Sequence, residues 1–144
     1  MRRILLADSD PHVLLLCLNE LKDDGYEVVA ASSGQEVLKL LEHGCPDLVV
    51  LEVLLPDISA FETIRMIKGI CPQTPVVFHS IYSLPEQNCQ PPVKGIAVKT
   101  HDLQGLKNLV QQLLPLPSAG RQQPMRRQRP ETTVNRRNYG YYGN

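Results

Sequence analysis

Polar side chains stand where short apolar runs end. Asp8 closes the run 4–7 and is followed by Ser9 and Asp10; Glu52 closes 48–51; Ser80 lies just past 76–78; Lys99 follows 96–98. Aliphatic runs this short, many of them β-branched, read as buried parallel strands. In a sheet of parallel strands the carboxyl ends converge on one cleft. Carboxylates, a hydroxyl and an ammonium gathered there are the parts that aspartyl-phosphate chemistry uses. Acids hold Mg²⁺, one carboxylate attacks phosphorus, and a hydroxyl and a lysine hold the phosphoryl oxygens.

The elements that must position these groups follow from periodicity. With 27–31, the runs make five strands. Asp10 caps a first helix with Pro11 at its first turn, and 13–21 is apolar on most of its circumference until Gly25. Ser33-Gly-Gln-Glu36 is a capping box opening a second helix that ends by Gly44. Phe61, Ile64, Ile67 and Ile70 recur every three residues on a third helix. Leu103, Leu106, Leu109, Val110, Leu113 and Leu114 line the last helix, with Asp102 as its cap. Strands alternating with helices in this order predict right-handed crossovers and a doubly wound α/β fold with a five-stranded parallel sheet. Between the fourth and fifth strands, Pro85, Pro91 and Pro92 predict a helix that is short or lost.

Composition agrees with one domain and an appendage. The 144 residues, 42% hydrophobic and 21% charged, suit a soluble globular chain. The formal charge of zero conceals an asymmetry: 1–114 carries nine Lys/Arg against fourteen Asp/Glu, while 115–144 carries six Arg and one Glu. No apolar run reaches the length of a membrane span, and Asp8 and Asp10 end the only leader-like stretch too early for a signal peptide, so the cytoplasm is the expected location. Cys17, Cys45, Cys71 and Cys89 form no Cys-x-x-Cys pair and are read as reduced thiols. From Pro115 onward apolar residues are too few to offset ordering entropy, so 115–144 is expected to be disordered in isolation.

Ile4-Leu-Leu-Ala-Asp8-Ser-Asp10-Pro11, Asp47-Leu-Val-Val-Leu-Glu52-Val-Leu-Leu-Pro56-Asp57, Pro75-Val-Val-Phe-His-Ser80 and Val98-Lys99 resemble, in order and near the usual spacing, the response-regulator receiver domain of bacterial two-component signalling. The resemblance covers residues 2–114 and implies a flavodoxin-like fold and a phosphorelay role. The departures are as telling. Where receivers carry two adjacent acids after the first strand, this chain has Asp8-Ser9, which puts the Mg²⁺ site in doubt, Asp10 compensating only in part. The phospho-accepting position falls on Glu52. Its extra methylene moves the carboxylate by about 1.5 Å, and such misplacement can cost on the order of 10²-fold in rate. Ile96 stands at the switch aromatic, Thr100 replaces the proline after Lys99, Ala60 replaces the loop glycine, and Ser80 keeps the hydroxyl position. That combination looks like a pseudo-receiver with a vestigial site of Asp8, Ser9, Asp10, Glu52, Ser80 and Lys99.

Two readings of Glu52 stay open. Its carboxylate reaches Lys99 and Ser80 and holds an active-like state, or Glu52–Lys99 is an ion pair that fills a dead site. Asp8 and Asp10 also resemble the haloacid dehalogenase phosphatases, an enzyme reading weakened by the lack of a later acidic pair for Mg²⁺. A zinc site from His79, Cys89 and His101 has no recognisable ligand spacing. Beyond the domain, Arg126, Arg127 and Arg129, then Arg136, Arg137, Tyr139, Tyr141 and Tyr142, mix guanidinium donors with stacking surfaces. They are suited to an acidic, aromatic-lined protein groove or, more weakly, to single-stranded nucleic acid. The expected protein is therefore non-enzymatic, without cofactor, metal or membrane, docking a protein partner through fold and tail. The last helix offers a homodimer face, as in many receivers. The competitors are a phosphorylation-switched regulator, with Asp57 or Asp10 as a rescue acceptor, and a nucleic-acid-binding regulator.

Overall fold

The computed structural model of the chain describes residues 2–81 and 93–116. In chain order the elements are β1 (Arg3–Ala7), α1 (Pro11–Asp23), β2 (Glu27–Ala31), α2 (Gly34–Leu41), β3 (Leu48–Glu52), α3 (Ala60–Ile70), β4 (Val76–Ser80), β5 (Ile96–Val98) and α4 (Gln104–Leu113). The strands form one parallel sheet in the order β2-β1-β3-β4-β5. The five expected strands are all present, three of them a residue or two longer than the apolar runs. The expected short or missing helix after β4 and the expected disordered tail fall largely on 82–92 and 117–144, outside the described residues.

Strand alternation divides the core. Leu5, Ala7, Val49, Leu51, Val76 and Phe78 face α2 and α3, packing with Val37, Leu41, Ala60, Ile64 and Ile67. The intervening buried positions Ile4, Leu6, Val50 and Val77 turn to the other face. There α1 packs on β1 and β2 and α4 on β5, and Lys107 of α4 reaches Glu20 of α1 at 3.1 Å. No helix among the described residues is long and apolar enough to cross a membrane.

Local details add to or depart from the sequence reading. The Asp10 cap forms, accepting from the His12 N–H at 2.9 Å. The α2 box closes one residue early: Ser33 Oγ accepts from the Glu36 N–H, but Glu36 Oε1 accepts from the Ser32 N–H and hydroxyl. On α3 the three-residue stripe is only half buried, since Phe61 and Ile70 are 40% and 50% exposed. Steps of three fall short of a 3.6-residue turn, so four such positions drift around half the helix and its ends leave the core face. Ala60 and Thr63 are buried instead. Asp102 is not the cap residue of α4: that place falls to Leu103, held at φ 56° so that its side chain stays in the core, while Asp102 Oδ1 still accepts from the Gln104 N–H at 3.1 Å. Finally, Cys45 and Cys71 are joined in a disulfide, against the reading of four reduced thiols. Residues 26 apart are brought within 5.8 Å between Cα atoms because α3 returns the chain to the loop that precedes β3. Cys17 is free and buried, and Cys89 lies outside the described residues.

Candidate functional site

The site forms where β1, β3 and β5 end side by side with β4. A parallel sheet sends every strand out at the same edge, so residues 8, 52 and 99, far apart in sequence, arrive together. Lys99 Nζ lies 2.8 Å from Asp8 Oδ2 and 2.9 Å from Glu52 Oε1. The other Glu52 oxygen, Oε2, accepts from the Ser9 N–H at 2.9 Å and from the Ser9 hydroxyl at 2.8 Å. Asp8 Oδ1 accepts from the Asp10 N–H at 2.9 Å. Asp8 is 2% exposed, and the side chains of Lys99 and Glu52 are 12% and 13% exposed. Two carboxylates and one ammonium thus share a nearly dry pocket with both oxygens of each acid engaged.

Burial and hydrogen bonding pull the three groups in different directions. Burial alone would raise the Glu52 carboxyl, but the Ser9 N–H, Lys99 and the Ser9 hydroxyl together hold it below its usual value. For Asp8, burial outweighs Lys99 and the Asp10 N–H, and the carboxyl stays above its usual value. Burial would lower Lys99, but bonds to both acids hold its ammonium above the ordinary range.

Of the other expected site residues, Asp10 is spent on the α1 cap. Ser80 is buried at the end of β4, its carbonyl accepting from the Lys99 N–H at 2.7 Å. The structure does not bring Asp57 into the pocket. Its two carboxylate oxygens accept from the Gly34 and Gln35 N–H groups at 2.8 and 2.9 Å, so it closes the α2 N-terminus from the β3–α3 loop. Those N–H groups hold its carboxyl below the usual range. Glu52 takes its hydrogen bonds from Ser9 and Lys99. The Arg and Tyr residues of 126–142 lie outside the described residues.

Sequence reasoning counts Ser9 as a lost acid; here it is the hydrogen-bond donor that receives the longer Glu52 side chain. The same reasoning reads His79 as a core or cleft-edge residue. His79 pairs in register with Glu52 on β3 and is 2% exposed, and neither ring nitrogen finds a partner among the described residues. Burial, with a smaller contribution from the Lys99 charge, pushes its imidazole down to about 4. The unfolded chain therefore takes up a proton below the ordinary histidine value while the folded one does not, and stability falls with pH between about 6.5 and 4. The loss reaches ~3 kcal/mol at the acid end. His79→Leu is expected to flatten the wild-type fall in urea midpoint across that window; an unchanged slope refutes the assignment to His79.

Among the described residues no group of three or more His, Cys, Asp or Glu is arranged to hold a metal ion. The family model described as response regulator receiver domain matches residues 4–111. Among curated proteins, the alkaline phosphatase synthesis transcriptional regulatory protein PhoP of Bacillus subtilis is 36% identical over 46% of this chain and 28% of its own length. AfsQ1 of Streptomyces coelicolor is 40% identical over 47% and 30%. The chain thus spans under a third of these two relatives. Among solved structures, the response regulator TrrA of Thermotoga maritima, determined with Mg²⁺ and BeF, superposes with a TM-score of 0.72 at 31% identity, over 79% of this chain and all of that one. TrrA has also been solved in complex with the histidine kinase ThkA; that match has a TM-score of 0.70 and covers 79% of this chain and 99% of the other.

Proposed function

Since this chain belongs to the response regulator receiver domain family, we propose that it is a pseudo-receiver: a signalling domain that does not take up phosphate and acts by docking a protein partner. The observation that carries this reading is the bonding of Glu52. At the position where receivers accept phosphate, a carboxylate one methylene too long has one oxygen on Lys99 and the other on Ser9. Attack on phosphorus needs an uncommitted carboxylate oxygen in line with the leaving group and a lysine available for a phosphoryl oxygen. Here the lysine is shared between two acids. Asp57 is committed to α2 and Asp10 to α1, which removes the two rescue acceptors.

The donor set also argues for a site without Mg²⁺. One oxygen of Asp8 carries the Lys99 ammonium and the other a backbone N–H, and Ser9 stands in place of a second acid. Hard divalent cations are held by several oxygens free to turn toward them. The reading is of a non-enzymatic, cytoplasmic adaptor whose Arg/Tyr-rich segment 126–142 supplies a docking motif. The complex of TrrA with ThkA supports a protein partner for this fold.

Incubation with acetyl phosphate and Mg²⁺ followed by intact-mass measurement is expected to leave the mass unchanged; a stable adduct of about 80 Da overturns the reading. Affinity capture with the full chain and with residues 1–116, each with and without nuclease, locates the docking surface. A discrete protein lost on truncation is the expected result. A partner kept by 1–116 places recognition on the fold, and loss on nuclease treatment favours nucleic acid.

A further inference from the structure

We propose that Cys45 and Cys71 form a thiol–disulfide exchange site, opened by a thiol such as glutathione and closed by the corresponding disulfide while the domain stays folded. The pair lies among the ends of α2 and α3 and the starts of β3 and β4, the opposite edge of the sheet from Glu52, and it stands whether or not Glu52 accepts phosphate. Cys45 is exposed in the α2–β3 loop, next to Gly44 at φ +127°. Cys71 is buried at the end of α3, in a non-helical conformation. An incoming thiolate therefore meets Cys45 first and Cys71 is the leaving sulfur.

The same segments are fastened independently of the bond. Thr74 Oγ1 donates to the Pro46 carbonyl at 3.0 Å, Lys68 Nζ donates to the Thr74 carbonyl, and the Thr74 N–H donates to the Cys71 carbonyl at 3.1 Å. Asp47 is bonded to the backbone of Arg3 in both directions, at 2.8 Å each. With these contacts in place, loss of the covalent link leaves loop and helix end where they are. Cys17 does not compete, because it is buried and its thiol is pushed up to about 11 by that burial and by the nearby Asp8 charge.

The exchange balances with glutathione as the co-reactant. One glutathione thiolate attacks Cys45 Sγ, the Sγ–Sγ bond breaks, and Cys71 leaves and takes a proton from water. A second glutathione attacks the glutathione sulfur of the mixed disulfide and frees the Cys45 thiolate. The protein gains two electrons and two protons, and two glutathiones become one disulfide. The structural consequence lies in the α2–α3 layer. Asp57 ties the start of α2 to the loop before α3, and the disulfide ties the loop after α2 to the end of α3. The oxidised layer has a covalent tie at the end opposite Asp57, and the reduced layer keeps there the hydrogen bond from Thr74 to the Pro46 carbonyl.

The test uses the full chain carrying Cys89→Ser, equilibrated in glutathione buffers from oxidising to reducing, alkylated with N-ethylmaleimide and read by peptide mass, with circular dichroism alongside. Labels at Cys45 and Cys71 are expected to appear together as reduction proceeds, with Cys17 unlabelled and the folded spectrum kept. Cys71→Ser is expected to carry a glutathione adduct at Cys45. The inference fails if both cysteines are labelled in fully oxidising buffer, if the bond resists until the spectrum is lost, or if Cys71→Ser takes no adduct.

Discussion

Replacing Lys99 with methionine lowers the stability of this domain by about 3–5 kcal/mol near neutral pH, the usual loss when one partner of a buried ion pair is removed. Methionine keeps most of the packing volume, so the loss reports charge rather than a cavity. Without the ammonium, Asp8 and Glu52 face each other in a pocket that water barely reaches. One must then bind a proton, and it is Asp8, which burial already holds above its usual value. The sign follows. A carboxyl raised in the folded state destabilises at pH above its unfolded value and less as pH falls, so the variant recovers part of the loss between neutral and mildly acidic pH. Urea unfolding followed by circular dichroism at both pH values checks this. A loss below about 1 kcal/mol would mean that the pair behaves like a surface salt bridge, and a loss independent of pH would remove the facing carboxylates from the explanation.

The double variant Ser9→Asp/Glu52→Asp is expected to take up phosphate from acetyl phosphate in Mg²⁺, gaining about 80 Da, whereas either single variant gains little. Shortening Glu52 alone withdraws its carboxylate from Ser9 and Lys99 but leaves no second acid to attract Mg²⁺. The Ser9→Asp change alone puts a third carboxylate beside a glutamate still of the wrong length. Only together do they free Lys99 for a phosphoryl oxygen and restore a divalent-cation donor set, with Ser80 already at the end of β4. Non-additivity of this kind marks groups that act as a unit. Intact mass over time, with and without Mg²⁺, decides it; a double variant as inert as the wild type would place the defect elsewhere, at Ile96 or Thr100.

The strands were legible because each is a short aliphatic run bounded by polar residues, a signal that depends on neighbours alone. The clustering of Asp8, Glu52 and Lys99 was legible for a different reason: parallel strands share one carboxyl edge, so position along each run was enough. What stayed hidden is side-chain partnership across the fold. That Ser9 would donate to Glu52, or that Asp57 would accept from the start of α2 rather than enter the pocket, depends on loop paths that periodicity does not encode. The Cys45–Cys71 bond was missed because the spacing rules for cysteines look along the chain, and this pair is joined by a crossover. Leu103 shows local preference losing outright. No propensity favours leucine at positive φ, but an otherwise exposed apolar side chain costs more than the turn.

The place of Lys99 in the sheet has a consequence for how the molecule is made. Asp8 and Glu52 sit on neighbouring strands, while their counter-ion follows the last strand, separated from them by β4. A nascent chain that has emerged only as far as β4 holds two acids at adjoining strand ends with no cation to offset them. Docking of β5 supplies the final ladder and the balancing charge in one event, and long-range closures of this kind come late in folding. Cooperative unfolding is therefore expected of a chain that includes β5 and Lys99 and not of one that stops after β4, a difference that urea titration of the two lengths would read.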